Sequence, residues 1–444
     1  MPSQLGTLSG NGERPIPEIM VIGLGYVGLT TAVCLASAGN NHVLGIDHDP
    51  DKISALRRGD PTFYEPDLGK ILSEALEEGA LAVTTDPAAG AATADFVFLC
   101  LPTPQTAEGA VDTSVLWASL RSVEPQLRSG CIVVIKSTVP VGTTDEISEY
   151  LAARGVSVAA NPEFLREGHS VQDFLHPFRI VIGAERHETA EAVGALYDHL
   201  SSPIHVTSSA SAELAKYSAN AFLALRLSYA NLIAELSERS GANAQDVLDV
   251  IGADPRIGSE YLRPGPGWGG PCLPKDTSEL LRFAGAVNAE DAVLRATIRT
   301  NQHQIRRIGS ALTDLLGTLR GNRISLFGLA FKTGTSDLRG SPAISIARLL
   351  IAEGAEVLAY DPMVTMDPDV AGMAVLDDPY QAVDSADAVL IMTDWPEFND
   401  LNWTCIASRM DGVHVLDSPA GIKPALLRRA GLRHVINWRM NVFR

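Results

Sequence analysis

Short apolar runs recur along the first third of the chain. Ile19–Ile22, Val43–Ile46, Phe96–Leu101 and Ile132–Ile135 each read as a buried strand, and Thr30–Ser37 reads as the helix between the first two. Strands in which nearly every residue is apolar belong to parallel sheets covered on both faces, so this rhythm predicts a doubly wound α/β unit. The pattern then changes. From Ser208 to Ser240 there is no Gly and no Pro, which predicts one helix of about 50 Å at 1.5 Å per residue. Its apolar positions are too many for a helix wetted along one side, which points to a buried connector or a subunit interface. Strand signals return at Ile324–Phe327, Val357–Tyr360 and Ala388–Met392, with a helix at Ala343–Ala352.

The second run of elements repeats the order of the first: strand, turn, helix, strand, acid, and later a strand introduced by Ala-Asp. The dipeptide is Ala94-Asp95 in one and Ala386-Asp387 in the other. The fold class expected is therefore α/β, two Rossmann-like doubly wound domains joined by a long central helix. The boundaries expected are a flexible tail over 1–17, a first domain over 18–207, a central helical and dimerisation domain over 208–312, and a last domain over 313–444. A chain of 444 residues exceeds a single ordinary core, in keeping with that division.

Composition narrows the function. The net charge of −18 argues against nucleic acid as partner, while leaving room for a small phosphorylated ligand held by a few local donors. No apolar run reaches the roughly 18 residues of a membrane helix, and Met1–Pro17 lacks the apolar centre of a signal peptide. A cytoplasmic protein is expected. The cysteines are five, an odd number with no metal-site spacing, so reduced thiols and no metal are expected. Cys34, Cys100 and Cys131 sit in apolar runs and read as packing residues.

Gly23-Leu24-Gly25-Tyr26-Val27-Gly28 closes the first strand and opens the first helix. The first glycine permits the tight turn, the second lets backbone approach a pyrophosphate, and the third lets helix and strand pack closely. The helix N-terminus presents N–H groups to phosphate. Asp47, at the end of the next strand, is placed to bond a ribose 2′-hydroxyl and repel a 2′-phosphate, which favours NAD over NADP. The second unit has Gly328-Leu329-Ala330-Phe331-Lys332 instead and lacks this fingerprint. Lys332 and Arg339 there face phosphate or are ordinary solvated charges.

Gly267-Trp268-Gly269-Gly270-Pro271-Cys272-Leu273-Pro274-Lys275-Asp276 is the most unusual stretch. Its glycines and prolines position a cysteine. A nearby cation favours the thiolate, and Asp276 is placed to act as a base or orient water. On the long helix Glu213, Lys216 and Asn220 share one face, which puts an ammonium and an amide in line to hold an oxyanion. Ser137-Thr138-Val139-Pro140 follows a strand at the carboxyl edge, and Asn161-Pro162-Glu163-Phe164-Leu165-Arg166-Glu167-Gly168 is a polar, irregular stretch after a short strand.

Taken together, and in this order, these motifs resemble the UDP-glucose and GDP-mannose dehydrogenase family from about residue 19 into the last domain. Phe331-Lys332 and Asp337, Arg339 and Ser341 extend the match. The resemblance implies that a primary alcohol of a nucleotide-sugar is oxidised twice, to a uronate, with two NAD molecules used in turn. It implies that Cys272 captures the aldehyde as a thiohemiacetal, then becomes a thioester that water hydrolyses. Lys216 and Asn220 are implied to stabilise oxyanions. Asp276, Thr138 and Glu167 are implied to manage protons and water, with Glu163 assisting the second half-reaction. NAD is implied to meet Gly23, Gly25, Tyr26, Val27, Gly28, Asp47, Lys52, Thr103, Ser137, Thr138, Glu167, Lys275 and Arg339. The substrate is implied to lie against Glu163, Phe164, Leu165, Lys216, Asn220, Tyr261, Leu262, Gly265, Gly269, Phe331 and Lys332. Arg256 resembles an arginine that reaches a neighbouring subunit's site, which implies a homodimer or larger homo-oligomer.

Arg256-Ile257-Gly258 resembles the UDP-glucose branch more than the GDP-mannose branch, and Lys275 argues against the branch acting on N-acetylated mannosamine. One motif departs. The family often carries Asp-Gly-Arg near its end, where this chain has Asp417-Ser418-Pro419-Ala420. That leaves dTDP-glucose, GDP-mannose, an aminosugar nucleotide or another nucleotide-sugar open as substrate. A one-step alcohol dehydrogenase and a non-catalytic NAD-binding protein stand as alternatives. The complete set of Cys272, Lys216, Asn220 and Asp276 speaks against the last.

Overall fold

The structure, a computed structural model, describes residues 16–38, 41–106, 109–364 and 370–436. The tail expected over 1–17 lies, through residue 15, outside the described residues. The chain divides into two compact units, Met1–Tyr217 and Ser218–Arg444.

The first unit is built on eight strands: β1 (Glu18–Ile22), β2 (His42–Ile46), β3 (Leu81–Thr84), β4 (Phe96–Leu99), β5 (Ile132–Ile135), β6 (Ser157–Ala160), β7 (Ile180–Ala184) and β8 (Ile204–Thr207). Their order in the sheet is β3-β2-β1-β4-β5-β6-β7-β8. The first six are parallel, with Ile19 opposite Val43 on one side and Phe96 on the other. Helices cover both faces. Leu29, Val33 and Phe98 pack in one layer, and Val97, Leu99 and Val133 in the other, all fully buried. The direction of winding reverses between β1 and β4, so the turns after these two strands lie together at the carboxyl edge.

Three expectations are corrected here. The sheet is not wholly parallel: β7 runs antiparallel to β6, and β8 follows β7 in parallel. The helix between β6 and β7, Ser170–Leu175, has six residues and rises about 9 Å, less than the roughly 13 Å length of a four-residue strand. It is too short to return the chain to the starting edge. The fourth strand ends at Leu99, not Leu101. The backbone N–H and carbonyl of Leu101 bond to the Ser137 hydroxyl instead, and Pro102 has no N–H to continue the ladder. The first helix also starts earlier than expected, at Tyr26, directly on Gly25.

The second unit contains a helical segment and a six-stranded sheet. Its strands are β9 (Arg323–Phe327), β10 (Glu356–Tyr360), β11 (Met373–Val375), β12 (Ala388–Ile391), β13 (His414–Asp417) and β14 (Arg433–Val435). Their order, β11-β10-β9-β12-β13-β14, is that of the first six strands of the other sheet, so the repeat read from the sequence is one of topology. The long helix is Ser209–Ser240, preceded by Ser208, whose hydroxyl accepts from Ser211 N at 3.2 Å. Its sides are inverted relative to an ordinary surface helix. Small and polar residues such as Ala221, Ala224, Ser228, Asn231 and Ala234 are buried, while Phe222, Tyr229, Leu232 and Leu236 are exposed.

Candidate active site

The dinucleotide turn has the geometry its glycines require. Gly23 sits at φ +90°, where a Cβ would lie 2.6 Å from the Cys100 carbonyl oxygen. A Cβ on Gly28 would lie 1.7 Å from the Gly23 oxygen, whereas Gly25 faces open space. The first-turn N–H groups of helix Tyr26–Ser37 have no acceptor within the helix and begin at this opening. Asp47 is buried at the end of β2. Its Oδ2 accepts from Leu24 N at 3.0 Å and from Lys52 Nζ at 2.9 Å. Burial opposes its ionisation, but Lys52 and the backbone N–H groups hold its carboxyl below the usual range. Its Oδ1 keeps a longer contact, 3.2 Å to Asp49 N. An anionic carboxylate here, an open glycine and a helix N-terminus fit the adenosine ribose and pyrophosphate of NAD.

Across the same carboxyl edge, Thr103 donates to the Thr138 carbonyl at 2.9 Å, and Ser137 bridges Leu99 and Leu101. A recess opens beside them, lined by Ser137, Thr138, Val139, Pro162, Glu213 and Lys216. Lys216 is buried and donates to Glu163 Oε1 at 2.9 Å; Glu163 Oε2 accepts from Leu165 N at 2.6 Å. Burial pushes the Glu163 carboxyl up, but the Lys216 ammonium outweighs it and holds the acid below its usual range. Phe164 lies between cations, with the Arg179 guanidinium 3.8 Å from its ring centre and Lys216 Nζ at 5.4 Å. Glu213, read from its spacing as a neighbour of Lys216, is occupied otherwise. It caps helix Thr143–Leu151, accepting from Gly142 N and from the N–H and hydroxyl of Thr144.

In the second unit Cys272 is exposed at the N-cap of helix Leu273–Ala286. The helix dipole there favours a thiolate. Asp276 lies one turn on, 1% exposed, and its N–H donates to the Cys272 carbonyl. Its carboxylate accepts from Asn220 Nδ2 and Lys275 Nζ, each at 2.6 Å. Asn220, expected to hold an oxyanion, and Lys275, expected to meet the cofactor, both donate to Asp276 here, since a buried carboxylate left unpaired is costly.

The loop before Cys272 is fixed from two helices. Gly265 N donates to Asn231 Oδ1 and Gly265 O accepts from Gln304. Asn301 binds both backbone groups of Trp268, whose indole N–H donates to Ser228. Tyr261 adopts φ +59° and Leu262 is buried. A Cβ on Gly269 would lie 2.2 Å from the Gly340 carbonyl oxygen, and one on Gly270 would lie 2.7 Å from the Phe331 ring. The cysteine loop and the Phe331–Gly340 turn therefore touch backbone to backbone. Lys332 Nζ sits 5.7 Å over the Phe331 ring. Arg339 and Arg256 are exposed and bonded locally, to Asp337 and Asp254. Ser228, Asn231, Asn301 and Gln304 went unnoticed in the sequence because polar residues on long helices are usually solvated; only their failure to follow the outer face marks them.

Models of one family match most of the chain: its NAD binding domain over residues 17–201, its central domain over 210–303 and its UDP binding domain over 325–424. The chain belongs to the UDP-glucose/GDP-mannose dehydrogenase family. It is similar to a UDP-glucose 6-dehydrogenase of Rhizobium meliloti, 40% identical over 88% of this chain and 93% of that one. It also resembles the solved UDP-glucose dehydrogenase of Pyrobaculum islandicum, with TM-score 0.87 at 34% identity over 97% and 99% of the two chains. A UDP-D-ManNAc dehydrogenase structure from Pyrococcus horikoshii gives 0.86 at 29% identity, over 96% of this chain and 100% of that one. The family member described here is an NAD-dependent nucleotide-sugar dehydrogenase with two Rossmann-like domains. Among the described residues no helix is long and apolar enough to cross a membrane.

Proposed function

We propose that this enzyme oxidises UDP-glucose to UDP-glucuronate through a thiohemiacetal and a thioester on Cys272. The observation that carries the reading is the exposed Cys272 at a helix N-cap with the buried, doubly bonded Asp276 one turn behind it. NAD, when bound, accepts the hydride in each oxidation. The protein's part is to hold the carbon and move protons. Cys272 retains the aldehyde covalently, so it does not escape between the two oxidations. Lys216 and Asn220 stabilise the oxygen anion, which requires Asn220 to leave Asp276. Asp276, once relieved of that bond, takes the proton of the hydrolytic water, with Thr138 and Glu167 orienting it. Glu163 keeps Lys216 charged and fixed, and relays in the second half-reaction. Arg256 serves a neighbouring subunit, and Tyr261–Gly269 with Phe331 and Lys332 receives the nucleotide.

The exposed stripe on the long helix supports a homodimer. Phe222 is 57% exposed, and Tyr229 and Leu236 follow at seven-residue steps. Large apolar residues outward and alanines inward are the reverse of a solvated helix. At the other end of the chain, the turn Asp417-Ser418-Pro419-Ala420 carries no cation, and Ala420 is held at φ +59°. This favours relaxed base selectivity, with dTDP-glucose also accepted. The test is NADH yield and product mass with UDP-glucose, dTDP-glucose and GDP-mannose. Two NADH per sugar and a uronate are expected from UDP-glucose; one NADH refutes the double oxidation, and strict UDP selectivity refutes the relaxed base.

A further inference from the structure

Glu65 lies in the loop before helix Leu68–Glu77 and is 5% exposed. Among the described residues no Lys, Arg or His pairs with it. Three donors satisfy it instead: the Tyr26 hydroxyl on Oε2 at 2.5 Å, Gly168 N on the same oxygen at 2.8 Å, and Ser170 N on Oε1 at 2.7 Å. Bonds of this kind to an ionised group are the strong class, and they offset the desolvation of a carboxylate without a cation. The donors come from two places. Tyr26 is the first residue of the helix that opens the dinucleotide turn. Gly168 ends the irregular segment that begins at Asn161, and Ser170 opens the short helix that follows it. The Tyr26 hydroxyl also lies 3.0 Å from the Arg166 carbonyl oxygen, and one turn further along the helix Thr30 Oγ1 is 3.0 Å from Ser170 Oγ. The Tyr26 ring packs against Phe63, two residues from Glu65, at 5.4 Å between centres. At its other end the same segment carries Glu163, bonded to Lys216. One carboxylate therefore ties the helix that receives the cofactor's phosphates to the segment that holds the Glu163–Lys216 pair.

We propose that Glu65 is a positioning residue, which couples occupancy of the dinucleotide turn to the placement of segment 163–170, acting through the Tyr26 hydroxyl. The proposal rests on the roles given above to Glu163, Glu167 and Lys216. Glu65 touches neither cofactor nor sugar in this scheme. Its effect is on the angle at which the first helix presents Tyr26 to Arg166 and Gly168.

The experiment has two arms. Hydrogen exchange over residues 163–170 is followed with and without saturating NAD, in the parent protein and in Tyr26→Phe, which removes one hydroxyl and keeps the ring. NAD is expected to slow exchange in the parent by about tenfold and in Tyr26→Phe by less than about twofold. In the kinetic arm, Glu65→Gln and Tyr26→Phe are each expected to lower kcat about tenfold while KM for the sugar moves less than about threefold. The double variant is expected to lose no more than Glu65→Gln alone, because the two act in series. An unresponsive segment in the NAD-bound parent, full slowing in Tyr26→Phe, or multiplicative losses in the double variant would overturn the coupling. The exchange arm needs no turnover, so it reads this coupling even if UDP-glucose proves not to be the substrate.

Discussion

At the scale of single residues, the roles proposed for Cys272 and Asp276 rest on their different environments. The thiol stands exposed at a helix start, and the carboxylate is buried under two donors. Cys272→Ala is expected to abolish formation of the acid while leaving NAD affinity within about twofold, since the dinucleotide turn lies in the other unit. Product mass and equilibrium NAD titration check this, and undiminished acid would refute the nucleophile. Lys136 is a residue the sequence concealed. It reads as the polar end of an apolar strand, yet its ammonium is buried, bonded to Asn161 Oδ1 at 3.0 Å and stacked near Phe174 and Tyr197. Burial pushes its pKa down to about 8. The unfolded chain then binds this proton more tightly than the native one between about pH 8 and the ordinary lysine value. Stability contributed through Lys136 must rise with pH across that window. Cys34, Cys100 and Cys131, whose thiols burial pushes up to about 12, act in the opposite direction, so the rise is read as a difference: denaturant unfolding at pH 7.5 and pH 9.5 is expected to show the parent gaining stability relative to Lys136→Met. Glu163 gives a slope of the same sign in a more acidic window. Its lowered carboxyl contributes stability above the ordinary glutamate value that is lost as pH falls through the folded value.

At the scale of elements, how much the sequence disclosed depended on period and burial. β1, β2, β5, β9, β10 and β12 each carry a mainly apolar run, polar chiefly at the first residue of some, and were readable because their middles are covered on both faces. β8 escaped because its residues are largely exposed at a sheet edge, and β11 and β14 because each has three residues. The glycine fingerprint was readable because its three positions need different things. Gly25→Ala is expected to leave the melting temperature within about 1 °C and to weaken NAD binding at least tenfold, since the added methyl enters only the ligand's space. Gly28→Ala is expected to lower it by several degrees, about 2 kcal/mol or more, because its methyl meets the Gly23 carbonyl. Thermal melts of the two variants with and without NAD separate the cases. The segment around Glu65 illustrates what composition cannot disclose: Phe63-Tyr64-Glu65-Pro66 looks like an ordinary polar loop, and its importance lies in partners about a hundred residues away.

At the scale of the whole molecule, the matched strand orders of the two sheets conceal a division of labour. In the first, Gly25 opens the strand-to-helix turn and Asp47 keeps one oxygen lightly engaged; in the second, Asp361 is spent on Leu329 N, Ala330 N and the Trp395 indole. The exposed apolar stripe on the long helix belongs to this scale also. Phe222→Glu with Tyr229→Glu is expected to shift sedimentation from dimer to monomer at micromolar concentration, and an unchanged profile would place the interface elsewhere.

Of the five cysteines, three are buried and one is partly covered, which leaves Cys272 as the exposed one. A small electrophile in limiting amount should therefore mark each working chain once. The number of labels that silences a preparation then counts its competent sites directly, without a rate, and a half-count in an oligomer would reveal that its subunits take turns.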